Sequence, residues 1–186
     1  MSLHKKLWIA IIVLLLLVFS GSFLVSTVSA KSYLEQQISM KNADNAAALA
    51  LSLTQQGADD ILLELTLSAQ FDTGFYELIE LRDPEGKLKI LRQDEQPIDQ
   101  APSWFVTAFE INVDAGIATV QSGWQQVGTL TLRSHSKFAY ERLWQSAQML
   151  ALIFLVAMLI SGFLGGQVLK RILKPLDDVV EQAQAI

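Results

Sequence analysis

The residue types that most often carry catalysis are sparse in this chain of 186 residues, which has two histidines and no cysteine. His4 sits beside an apolar stretch. His135 lies in Arg133-Ser134-His135-Ser136, near the end of an expected strand. A histidine with no cysteine nucleophile and no paired carboxylate nearby in sequence reads as a satisfied surface or core residue rather than a general base. The acidic pairs Asp59-Asp60 and Asp94-Glu95 lack the alternating ligands and the glycine of a calcium loop, so they read as solvated loops and not as a metal site. There is no glycine-rich phosphate loop. The chain therefore reads as a non-enzyme, with no catalytic residue, metal ligand or cofactor site to assign.

Binding is better represented. Trp124 follows Gly123 and precedes Gln125 at an expected hairpin tip, Ser122-Gly123-Trp124-Gln125. Hairpin tips are normally solvated and polar, and an indole there needs a reason. One reading makes Trp124 an interface anchor, a role in which Trp is enriched. The other folds the tip back so that Trp124 joins the core. Trp104 stands beside Phe105 and Phe109 in an expected short helix and reads as core. Gly162 and Gly166 have the small-xxx-small spacing that lets membrane helices approach closely, and they are the candidate residues for helix or dimer packing.

These residues are positioned by a chain that is 51% apolar. Residues 7–25 and 149–168 are uncharged and close to the roughly 20 residues a helix needs to cross the hydrocarbon core. Lys5 and Lys6 precede the first span; Lys170, Arg171 and Lys174 follow the second. Both asymmetries place the ends in the cytoplasm and the middle outside. Trp8 falls at the inner edge of the first span, and Tyr140 and Trp144 fall at the outer edge of the second. Val28-Ser29-Ala30 resembles a signal-peptidase site, but the apolar stretch exceeds the roughly 7–15 residues of a signal peptide, so an uncleaved anchor is the preferred reading. The expected organisation is a cytoplasmic start (1–6), a first transmembrane helix (7–28), an extracytoplasmic domain (29–145), a second transmembrane helix (146–169) and a cytoplasmic tail (170–186).

The middle domain carries nine basic and sixteen acidic residues, a net charge of −7, which argues against nucleic acid or anionic lipid as a partner. Apolar spacing predicts a helix over 31–56 with Leu34, Ile38, Ala48, Leu51 and Leu53 recurring, and a second over 59–69 capped by Asp59 or Asp60 with Ile61, Leu62 and Leu65 as its apolar face. Strands are predicted at 75–82 and 87–92 around the turn Asp83-Pro84-Glu85-Gly86. A short helix capped by Ser103 is expected over 104–110. A second hairpin follows, with strands at 116–121 and 126–133, and then a helix from about 136 runs into the second span. The expected fold is α+β: a small antiparallel sheet packed with helices, PAS-like, between two transmembrane helices.

In the tail, Leu169-Lys170-Arg171-Ile172-Leu173-Lys174-Pro175-Leu176 resembles the opening of a HAMP linker. Pro175 would start a coiled-coil helix with Val179 or Val180, Ala183 and Ile186 along its seam. A generic amphipathic helix is the alternative. The HAMP reading implies a further module beyond Ile186.

Several segments resemble, in order, the LapD-like cyclic-di-GMP receptors. They are Met1-Ser2-Leu3, Ser20-Gly21-Ser22-Phe23, Ala46-Ala47-Ala48-Leu49-Ala50-Leu51-Ser52-Leu53-Thr54, Phe71-Asp72-Thr73-Gly74-Phe75-Tyr76, Pro102-Ser103-Trp104-Phe105-Val106, Ser122-Gly123-Trp124-Gln125-Gln126, Leu143-Trp144-Gln145-Ser146-Ala147 and Arg171-Ile172-Leu173-Lys174-Pro175-Leu176-Asp177. The resemblance implies a homodimeric inner-membrane receptor. Cyclic-di-GMP would bind cytoplasmic GGDEF and EAL domains that this sequence does not contain, so no cofactor is expected here. The periplasmic domain would then hold a LapG-type cysteine protease, protecting a surface adhesin and keeping cells in the biofilm. It favours Trp124 as the protease contact, with Gly123 and Gln125 beside it. The rival function is a small-molecule sensor domain of a HAMP-linked chemoreceptor, histidine kinase or diguanylate cyclase/phosphodiesterase. Such a sensor needs converging pocket polar groups, and the sequence shows no obvious cluster of them.

Overall fold

The computed structural model describes residues 3–57, 59–94, 97 and 100–184, with side chains between 6 and 168. In chain order the elements are α1 (Leu3–Gln55), α2 (Asp60–Phe71), β1 (Tyr76–Arg82), β2 (Leu88–Gln93), α3 (Ser103–Ala108), β3 (Gly116–Ser122), β4 (Gln125–Ser134) and α4 (Lys137–Gln184). Two units are distinguished: residues 28–145, and the pair of stretches 1–27 and 146–186.

The 28–145 unit is α+β, as expected. Four antiparallel strands form one sheet in the order β2-β1-β4-β3, so two sequential hairpins are joined through their first and last strands. Strand alternation puts Ile79 and Leu81 of β1, Val120 of β3, and Leu130 and Leu132 of β4 on one face. Ala46, Ala50 and Leu53 of α1 and Leu63 and Leu67 of α2 close the core over that face. Each fully buried Leu or Ile contributes on the order of 1.5–3 kcal/mol.

The buried faces of the helices match those expected only in part: Leu53 of α1 is buried, and Leu34 and Ile38 are half-buried. On α1, Ala48 and Leu51 are exposed, and the inward stripe is Asn42, Ala46, Ala50 and Leu53. On α2, Ile61, Leu62 and Leu65 are exposed while Leu63 and Leu67 are buried. On α2, burial of Leu63 and Leu67 in the core sets the orientation, and exposed charge pairs accompany it. Asp60 and Glu64, one turn apart on the outer side, meet Lys89 and Arg92 of β2, each at 3.1 Å. Asp59 caps α2, its Oδ1 accepting from the Ile61 amide at 2.9 Å. Pro102, not Ser103, holds the cap position of α3, and no side chain caps that helix.

Aromatic placement also departs from expectation. Phe105 is buried, whereas Trp104 is 62% exposed, its ring edge-on to Phe105 and Trp144. Tyr140 is buried rather than interfacial, and its hydroxyl accepts from the Ile111 amide at 2.8 Å.

In the other unit, Phe19 of α1 stacks on Phe154 of α4 with centroids 5.1 Å apart. A Cβ placed on Gly165 or Gly166 would touch the Trp8 ring at 3.4 or 3.5 Å, while one on Gly162 would meet open space. Gly166 therefore packs against its own chain, and Gly162 alone of the expected pair is open. Both helices are long and apolar enough to cross a membrane, with mean hydropathies of 2.8 and 2.4 in their most apolar windows. Helix α4 passes Pro175 without a break, so the residue expected to open a new helix lies inside an existing one. The expected seam at Val179, Val180, Ala183 and Ile186 falls outside the described side chains.

Candidate protein-docking surface

The tip of the β3–β4 hairpin is the most exposed aromatic feature of the 28–145 unit. Ser122 pairs with Gln125, leaving Gly123 and Trp124 as a two-residue loop. Gly123 has φ +60°, a conformation that residues with a Cβ adopt only at a cost. Trp124 is fully exposed and does not fold back into the core. Its collar, Gln121, Ser122, Gln125 and Gln126, carries no charge. An uncharged, amide-rich ring around one free indole suits burial against a protein better than against an ion, because no charge has to be desolvated.

The tip is held from behind by the end of α1. Thr54 donates back to the Ala50 carbonyl at 2.9 Å, and its Oγ1 accepts from the Gln121 amide at 3.1 Å. Ser122 Oγ lies 3.5 Å from the Gly57 carbonyl. A register shift between Val120 and Gln121 precedes the loop, and it comes where the α1 contacts begin.

The base of the same hairpin is bound more firmly. Asn42 is buried in the middle of α1; its amide donates to the Asp114 carbonyl at 2.8 Å, and its carbonyl accepts from the Ser134 amide at 3.2 Å and hydroxyl at 2.6 Å. Gly116 faces the Asn42 backbone so closely that a Cβ there would lie 1.9 Å from the carbonyl oxygen. Glu35 and Ser39 accept from the amides of Asn112 and Asp114 at 2.7 and 3.0 Å. Sequence reading overlooked Asn42 and Thr54. The available signal was a pair of poor helix formers inside a long helix.

The remaining candidates resolve as follows. Asp59 and Asp60 are used by the α2 cap and the Lys89 pair, and Glu95 lies outside the described residues. Among the described residues, no three His, Cys, Asp or Glu side chains gather into a metal-sized group. His135 is 4% exposed and its Nε2 has no partner, so the expectation of a satisfied histidine fails at that atom. Burial, and then the Lys137 charge, push its pKa below the usual histidine range against the opposing pull of Glu77 and Asp94. It lines a cleft of about 500 Å³ that also holds Lys41 and Arg142. Sequence reading saw no such polar cluster, because its members come from two stretches of chain more than ninety residues apart.

The domain lies between two helices long and apolar enough to cross a membrane, an arrangement that fits a membrane-anchored receptor domain. Residues 23–144 match the family model of the LapD/MoxY periplasmic domain. The match covers more than half of the chain, and the chain belongs to that family. Among solved structures, the periplasmic domain of Pseudomonas fluorescence LapD is similar, at 34% identity over 67% of this chain and 98% of that one, with a TM-score of 0.38. No curated protein matches. A periplasmic domain between two such helices fits a two-pass inner-membrane protein.

Proposed function

We propose that this chain is the anchored output portion of a LapD-like receptor. In this reading its periplasmic domain captures a LapG-type protease when cyclic-di-GMP occupies the cytoplasmic domains, and a surface adhesin is thereby spared. The observation that carries the proposal is Trp124, a fully exposed indole in an uncharged collar at a tip with no other duty. An anchor of this kind contributes most when it enters a pocket on the partner and leaves water entirely.

Control from the membrane side passes through α1. The same helix holds the base of the hairpin at Asn42 and its tip at Thr54. A tilt or rotation of α1, set by the packing of the helices that continue α4 into a HAMP linker, would move the hairpin as a body. In a homodimer it would change the spacing of two Trp124 loops. Capture then requires two arrangements with different affinity for the protease.

The test is co-purification of a LapG-type protease with the receptor carrying this chain and its cytoplasmic domains, with and without cyclic-di-GMP. Nucleotide-dependent capture is expected. Equal recovery in both conditions would remove the control mechanism, and no recovery in either would remove the function.

A further inference from the structure

The domain's net charge of −7 over residues 29–145 makes a cleft that carries Lys41 and Arg142 stand out. The cleft measures about 500 Å³, within the range of small-molecule sites. α1 supplies Ile38 and Lys41 to its wall, Phe75 enters from the start of β1, and His135, Phe138 and Arg142 come from the end of β4 and the first turns of α4. Among the described lining residues Glu141 is the one carboxylate; it keeps its charge while accepting from Gln145 at 3.2 Å, so the two cations outnumber it. Lys41 and Arg142 leave the lining with one positive charge in excess, while Glu77 and Asp94 act on its His135 side.

Two further observations point to a ligand. Phe75 and Phe138 stand ring to ring at 5.9 Å, yet they remain 59% and 41% exposed, so they present flat apolar surface to the cleft instead of withdrawing it into the core. His135, from the opposite side of the burial scale, has a shielded Nε2 with no partner in the protein. Buried polar atoms are almost always hydrogen-bonded, and an unpaired one on a residue that lines a cleft gains a partner if a small turn of its ring admits a ligand atom or its water.

We propose that this cleft binds a small monocarboxylate with a flat apolar body, its charge answered by Lys41 and Arg142, its body lying on Phe75 and Phe138, and a polar atom reaching His135. Guanidinium and ammonium donors to carboxylate are the stronger class of hydrogen bond, and the two rings supply the shape selection. Because α1 and α4 both line the cleft, occupancy favours one packing of these helices over others, which gives the domain an input of its own. The proposal does not rest on Trp124.

Benzoate is the probe, titrated calorimetrically into the full chain in detergent micelles, with ¹⁵N-histidine spectra recorded in parallel. Saturable binding is expected, with a shift of the His135 Nε2 resonance. Benzyl alcohol, which keeps the ring and lacks the charge, should bind at least about tenfold more weakly, as should benzoate to the K41Q/R142Q double variant, the equivalent of one charged hydrogen bond. Both substituted residues are exposed, so the fold survives, and circular dichroism checks it. Trp124→Ala should bind benzoate like the wild type. The absence of saturable binding, undiminished binding in the double variant, or loss of binding in Trp124→Ala would each overturn the proposal.

Discussion

The base of the β3–β4 hairpin is tied into α1 through Asn42, Ser134, Asp114 and the close approach at Gly116, whereas its tip ends in a Trp124 that touches nothing. The two ends belong to one pair of strands and answer to opposite demands. At the base every polar group of Asn42 is used and the backbone leaves no room for a methyl group. At the tip the largest side chain available is placed where it stabilises nothing internal. The base serves folding, and the tip is free to serve binding. Trp104 sharpens the contrast. It is also exposed, but its ring lies against Phe105 and Trp144, so its exposure is the outer edge of a cluster.

The contrast can be broken most easily at the base. Gly116→Ala puts a Cβ into the Asn42 carbonyl, a clash with backbone that no rotamer relieves. It should cost at least the ~3 kcal/mol at the upper end of ordinary overpacking, read as a fall in the urea midpoint or loss of the folded domain. A midpoint within error of wild type would show that α1 and β3 are not packed as described. Asn42→Ala should come next, at roughly 2–3 kcal/mol, because it strands the Asp114 carbonyl and the Ser134 amide.

How far the sequence could see follows the same division. Short-range features were legible. The turn at 83–86, both hairpins, a cap at Asp59 or Asp60 and the tip bearing Trp124 are each written in a few adjacent residues. The faces of the helices were not. Whether α2 buries Leu63 and Leu67 or Ile61 and Leu65 depends on the sheet face it meets, built from Ile79, Leu81, Leu130 and Leu132 on strands distant in sequence. The cleft was invisible for the same reason, since Lys41, Phe75 and Arg142 become neighbours only after folding.

Substitution at the tip should act more gently on the fold. Gly123→Ala forces a residue with a Cβ into φ +60°, at a cost of about 1 kcal/mol. Equilibrium denaturation measures it, and a value near that of Gly116→Ala would erase the difference between the two ends. The smallest effect expected is on pH dependence. Because His135 titrates below its unfolded value, the unfolded chain binds more protons as pH falls below the usual histidine range. Stability contributed by the neutral histidine is present above that range and is lost as pH falls toward the lowered folded pKa. Urea midpoints at neutral pH and at about one pH unit or more below the ~6.5 of a free histidine should differ in that direction. His135→Gln should reduce the difference, and an unchanged slope in that variant would mean that other groups carry it.

In the proposed function Trp124 binds a partner and contributes nothing to the fold. The most direct measurement is the affinity of a LapG-type protease for the nucleotide-bound receptor, taken for wild type, Trp124→Ala and Trp104→Ala, with urea midpoints recorded beside it. Trp124→Ala should leave stability within about 0.5 kcal/mol of wild type and weaken binding by about 30-fold or more, the loss of one hot-spot residue. Trp104→Ala should show the opposite pattern, a lower midpoint with capture retained. Binding by Trp124→Ala at wild-type strength would contradict the account.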